Sequence, residues 1–144
     1  MNEEKIAANR AALEAFEARM EADRALVQSL LEKGDFLDED GYPTDDALTI
    51  VEKWCWDDPK GWFKFIESSW HLRSWGWSEG VAEHEYREDT KVYRYDISTA
   101  GWSGNEDLIR AMMHNDMLWS TTWVQSRRGG HYIFEVEHDE VANS

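Results

Sequence analysis

Three consecutive stretches decide the fold: Gly101-Trp102-Ser103-Gly104-Asn105-Glu106, an apolar run from Leu108 to Val124, and Ser126-Arg127-Arg128-Gly129-Gly130-His131-Tyr132. Ser103 followed three residues later by Glu106 has the form of a capping box, in which the hydroxyl takes a free backbone N–H of the first turn and the carboxylate reaches back to the cap N–H. Asp107 adds negative charge where the helix dipole favours it. Leu108, Ile109, Met112 and Met113 then share one helical face, and Asn115 with Asp116 supplies the break. Beyond the break the period changes to two. Met117, Trp119, Thr121 and Trp123 alternate with Leu118, Ser120, Thr122 and Val124, and these aromatic and β-branched residues predict a strand. A single helix from Asn105 to Gln125 is the rival reading. Arg127-Arg128-Gly129-Gly130 reads as a hairpin turn, since glycine supplies positive φ without steric cost. The returning strand places Tyr132, Phe134 and Val136 on one face and His131, Ile133, Glu135 and Glu137 on the other.

Upstream, residues 3 to 33 hold neither Gly nor Pro and are rich in Ala, Glu, Leu and Arg, which predicts one long helix ended by Gly34. Its apolar stripe, Ile6, Leu13, Phe16, Met20, Leu26 or Val27, and Leu30, is interrupted by Asp23 and Arg24, so the helix has little to bury alone. It packs on the rest of the fold or pairs with a second copy. Asp35 to Asp46 is an acidic loop. Thr44 is the expected cap of the next helix, and Asp58-Pro59 the start of a third, with aspartate at the cap and proline at the first helical position. That third helix carries Trp62, Phe63, Phe65, Ile66 and Trp70 on more than one side, which implies burial between layers or a partner interface. From Ser74 to Ser98 the period is two. Val81, Glu83, Glu85 and Arg87 oppose Ala82, His84 and Tyr86, then Tyr93, Tyr95 and Ile97 oppose Val92, Arg94 and Asp96, around a turn at Glu88 to Lys91.

The expected fold is therefore α+β: N-terminal helices, then a four-stranded antiparallel sheet built as hairpin, helix, hairpin, with the helix packed on one face and the N-terminal helices covering an edge or extending outward. Residues 1–34 form the long N-terminal helix, an oligomerisation or partner arm. Residues 35–144 form a single α+β domain that includes the acidic loop 35–46.

The chain of 144 residues has 30 acidic against 15 basic side chains and a formal charge of -15. That balance argues against direct nucleic-acid or anionic-membrane binding, which needs a basic face. It permits binding to basic surfaces, or serves simply to keep a chain with nine tryptophans in solution. Residues 1–58 hold 16 acidic and 6 basic residues, so the N-terminal part is the more anionic. A single cysteine, Cys55, excludes an internal disulfide and suits a reducing cytosol. No window approaches a membrane span or the apolar core of a signal peptide, and the expected setting is soluble and intracellular.

Few residues suggest chemistry. In the acidic loop Asp38, Asp40 and Gly41 match positions three, five and six of an EF-hand loop, but Phe36 and Ala47 stand where the first ligand and the bidentate glutamate belong. His71, His84, His114, His131 and His138 are too dispersed for a zinc grouping, so no metal and no cofactor are expected. Cys55, between two tryptophans, reads as an inert core thiol. There is no nucleophile elbow, and the paired carboxylates lie on solvated segments; the chain is not expected to be an enzyme.

The segment Trp102-Ser103-Gly104-Asn105-Glu106, the following Leu-Ile, Trp119 with Trp123, and Ser126 to Tyr132 resemble a family of small uncharacterised proteins encoded by bacteriophages and prophages, over roughly Trp75 to Glu137. The resemblance implies a phage accessory protein acting in bacterial host cytoplasm and carries no catalytic residue. Two functions are compatible with these readings. In the first the protein binds and inhibits a host defence complex through that partner's basic, nucleic-acid-binding surface. Asp35, Asp38, Glu39, Asp40, Asp45 and Asp46 would then stand where phosphates would sit. In the second a nucleotide-like anion binds at the helix start, with Trp102 against a base, Ser103, Gly104 and Asn105 at the free amides, and Arg127, Arg128 and His131 on phosphate. A plain structural role for these last residues, as cap and turn, stands beside it.

Overall fold

The computed structural model describes residues 2–84 and 86–138; Glu85 of the expected strand face lies outside them. Helix α1 spans Glu3–Lys33. The Asn2 side chain caps it by accepting from the Lys5 N–H, and Gly34 ends it in the left-handed conformation at φ 72°, its N–H donating to Leu30 O at 3.1 Å. Val27 is the one buried residue of the helix, and Leu30 and Leu31 pack against the core beside it. Ile6 and Leu13 stay exposed. The arm is therefore held by its C-terminal part, and its first turns cover no apolar surface.

Helices α2 (Asp45–Lys53) and α3 (Pro59–Ser69) begin at Thr44 and Asp58, whose side chains accept from the amides of Ala47 and Gly61. A short α4 (Arg73–Gly76) leads into β1 (Trp77–Glu83), which pairs antiparallel with β2 (Lys91–Ser98). Helix α5 is Ser103–His114 and α6 is Asp116–Thr122; β3 (Trp123–Arg127) and β4 (His131–Glu137) complete one antiparallel sheet in the order β1-β2-β4-β3. β4 returns to lie between β3 and β2, so the two hairpins join through their later strands.

Register divides the sheet into two unlike faces. One carries Tyr93, Tyr95 and Ile97 beside Val136, Phe134 and Tyr132. Phe63 of α3 stacks on Tyr95 at 4.0 Å between ring centroids and meets Phe134 at 5.3 Å, while Trp119 of α6 meets Phe134 edge-on at 5.3 Å. The aromatic helix α3 is thus a layer over the sheet, not the edge cover expected of the N-terminal helices. Burying it needs every indole N–H satisfied, and Trp62 Nε1 donates to Val51 O at 2.9 Å and Trp70 Nε1 to Ser98 O at 3.1 Å. The other face carries Arg94 and Asp96 beside Glu135 and Ile133. There Arg94 holds Glu135 at 2.5 Å and His131 Nε2 lies 3.2 Å from Asp96, the register partner of the buried Ile133.

Two expectations from sequence are corrected. Residues 117–122 form helix, not strand, and β3 begins only at Trp123. The reason is Asn115, which is buried. Its side-chain oxygen caps α6 by accepting from the Leu118 N–H, and its amide donates to Val51 O and Trp54 O at 3.0 and 3.1 Å. Leu118 and Thr122, four apart, then turn to the core together, and the Thr121 and Thr122 hydroxyls donate back to Met117 O and Leu118 O. Tertiary packing overrides β propensity here. The second correction concerns Ser103. It is the first residue of α5 rather than its cap; Trp102 holds the cap position with no side-chain bond to the first turn. The capping box does not form.

Candidate functional site

The acidic loop is short, polar and tightly closed on itself. Asp38 N–H donates to Tyr42 O at 2.9 Å, Leu37 bridges Pro43, and Gly41, at φ 83°, makes the turn that a side chain would strain. The Asp38 carboxylate, though exposed, folds back onto the loop, accepting from the amides of Asp40 and Tyr42, both at 2.9 Å. Thr44 closes the base, its hydroxyl donating to Asp35 O at 2.6 Å while capping α2. Asp46 turns back onto Lys33 Nζ at 2.8 Å, which raises the Lys33 pKa through that hydrogen bond. Of the six carboxylates expected to meet a partner, Asp38 and Asp46 are therefore committed within the chain. Asp35, Glu39, Asp40 and Asp45 face solvent.

An aromatic stack ties the loop to the rest of the domain. Tyr42 stacks on Trp102 at 4.5 Å, and Trp102 on His71 at 4.2 Å. Trp102 also folds over Gly104, where any Cβ would collide with the indole. Beneath it Asn105 is fully buried and brackets His71, accepting from its N–H and donating to its carbonyl, each at 2.9 Å, with a further bond to Thr99 O at 3.3 Å. Asn105 and Asn115 are the residues that sequence reasoning under-read. Their only signal was an asparagine inside or between apolar helical patterns, where a buried amide must find partners.

The residues of the anion-site reading do not converge. Trp102, Gly104 and Asn105 are consumed by the stack and the bracket. Arg127 and His131 pair across β3 and β4 on the open sheet face, where His131 meets Asp96, and Arg127 donates to Gln125. Arg128 is exposed in the turn. Thr99 N–H donating to Gly130 O at 2.9 Å does bring that turn close to the start of α5. The groove between them, about 330 Å³, is lined by Thr99, Glu106, Ile109, Arg110, Met113 and Tyr132 with Gly130. Its cation, Arg110, is paired with Asp107.

Other candidates for chemistry are spread through the molecule. Cys55 is half-buried rather than sealed in the core, and an Arg24 guanidinium nitrogen donates to its sulfur at 3.1 Å. His84 Nδ1 accepts from the amides of Tyr86 and Arg87, and His114 lies 3.4 Å from Glu52. Among the described residues no group of three His, Cys, Asp or Glu side chains is placed to hold a metal ion, and no helix is long and apolar enough to cross a membrane. Compared with known proteins, the chain matches no family model, no curated protein and no solved structure.

Proposed function

We propose that this is a non-enzymatic phage accessory protein, working in the cytoplasm of a bacterial host, that occupies the basic surface of a host nucleic-acid-binding defence complex. The observation that carries the reading is the outward display of Asp35, Glu39 and Asp40 on a loop whose backbone is closed by its own hydrogen bonds, with Asp45 beside them at the start of α2. A net charge of -15 supports it, because a field of that sign steers the chain toward lysine- and arginine-rich surfaces and away from nucleic acid itself. The likeness of residues 75–137 to phage proteins supports the setting. The exposed first turns of α1 leave apolar stripe for a partner or a second copy.

The test is capture from host lysate with tagged protein at low and moderate salt, followed by competition with duplex DNA on the purified complex. A salt-sensitive partner that DNA displaces, and that the quadruple reversal Asp35, Glu39, Asp40 and Asp45→Lys releases, is the expected outcome. A partner indifferent to DNA and to the reversal overturns the proposal. The nucleotide-like-anion reading has less support, since its aromatic and amide groups are already engaged; Arg127→Ala and Arg128→Ala would abolish nucleotide binding if it held.

A further inference from the structure

Strand β1 is an outer strand of the sheet, and among the described residues nothing pairs with its free edge. The hydrogen-bond phase says which groups are free. His84 N–H donates to Thr90 O at 2.7 Å in the same register as the β1 and β2 pairs, so even-numbered residues of β1 turn their backbone groups toward β2. Glu79 and Val81 therefore present N–H and C=O outward; at the strand ends the Glu83 carbonyl is taken by Arg94 at 2.9 Å and the Trp77 N–H by Arg73 O, so the pairs of Glu79 with Val81 would carry the contact. The opposite edge, β3, is blunted in three ways. It is five residues long, it carries an irregularity between Trp123 and Gln125, and it ends on Arg127. β1 is seven residues with neither proline, lysine nor bulge.

We propose that β1 pairs antiparallel with β1 of a second copy about a twofold axis at Gly80, joining two sheets into one. Outward groups must meet outward groups, which restricts the centre of a full-length pairing to Glu79, Gly80 or Val81. A centre at Glu79 sets that carboxylate against itself, and a centre at Val81 sets Glu79 against the partner's Glu83. Only the centre at Gly80 places Glu79 opposite the partner's Val81 and Glu83 opposite the partner's Trp77, with no like charges opposed. Gly80 then meets the partner's Gly80 in the close, non-hydrogen-bonded pair, and within the chain a Cβ at this position would meet nothing within 4 Å. Val81, 52% exposed, gains a neighbour. The same register brings Trp75, just before the strand, to the end where the partner's Tyr86 follows its own. At 71% and 79% these are the most exposed large hydrophobic side chains of the described residues. An isologous contact of this kind closes after two copies.

Sedimentation of the full chain over a concentration series tests it. The wild type is expected to dimerise. Val81→Pro removes an outward N–H while sparing the ladder to β2, and should give a folded monomer with an unchanged circular dichroism spectrum. Gly80→Cys in a Cys55→Ser background should form an intermolecular disulfide on mild oxidation, because a non-hydrogen-bonded pair holds its Cα atoms about 4.5 Å apart. A wild type that is monomeric at every concentration overturns the proposal. So does a dimer that V81P leaves intact and G80C does not link, a result that would move the interface to α1. If V81P fails to fold, the cross-link alone decides.

Discussion

Asn105→Ala is the substitution whose cost follows most directly from the structure. The side chain is wholly buried and makes two bonds to His71 at 2.9 Å and one to Thr99 O at 3.3 Å. Thr99 O keeps a partner in the mutant, since it also accepts from Trp102 N–H at 2.9 Å. The His71 N–H and carbonyl lose theirs. Two well-formed bonds contribute about 1 kcal/mol each, and stranding the His71 amide at a part-buried position adds a desolvation cost of about the same size, so the loss should be roughly 3 kcal/mol. For a chain of this length that lowers the thermal midpoint by roughly 10 °C. Urea unfolding followed by tryptophan emission measures it, with amide exchange at His71 and Leu72 as the local readout. A loss below about 1 kcal/mol, with His71 still protected from exchange, would refute the account of Asn105 as the bracket between the α5 start and the segment before α4.

Other expectations follow from single contacts. Burial first, and the Glu79 carboxylate second, hold the Tyr95 phenol well above the ordinary tyrosine range. The folded state therefore keeps a proton that the unfolded chain gives up near pH 10, and stability should fall as pH rises past that value; Tyr95→Phe should remove that part of the slope, and an unchanged slope would contradict it. Gly130→Ala meets both a φ of 76° and the Thr99 hydroxyl, whereas Gly129→Ala meets only a φ of 85°. The first should cost roughly 2 kcal/mol and the second about 1, measured side by side in urea. Phe63→Ala strips the ring between Tyr95 and Phe134 and should cost roughly 3 to 5 kcal/mol by thermal melt.

The architecture was legible where local and tertiary signals agree. The caps at Thr44 and Asp58, the αL glycine at 34, and the alternation of Tyr93, Tyr95 and Ile97 each predict what forms, because the same residue satisfies both a backbone rule and the core. Reading failed where they conflict. Trp119 and Trp123 alternate like strand residues, yet Asn115 is held by its amide on Val51 O and Trp54 O, and its side-chain oxygen then caps a helix at the Leu118 N–H. Ser103 and Glu106 have the spacing of a capping box, yet the ring of Trp102 occupies the first turn because Tyr42 and His71 hold it there, and neither is near in sequence. For the same reason the acidic loop could be located but not oriented. Nothing in Asp-Glu-Asp-Gly says that the Asp38 carboxylate is the one that accepts from the loop's own amides.

That orientation bears on how an acidic surface of this kind gains affinity. A flexible run of carboxylates loses conformational freedom on binding, and exposed charge pairs return little each. Here the freedom is largely spent at folding. The Asp38 carboxylate fixes the loop tip and Thr44 fixes its base. Tyr42, three residues beyond Glu39, is stacked on Trp102, which rests in turn on His71. The Asn105 bracket then anchors His71 to the first turn of α5. The outward carboxylates are thus carried by a chain of contacts running into the core, and under the proposed function changes at Trp102 or Asn105, which lie behind the loop, should weaken binding by loosening the segment that displays them.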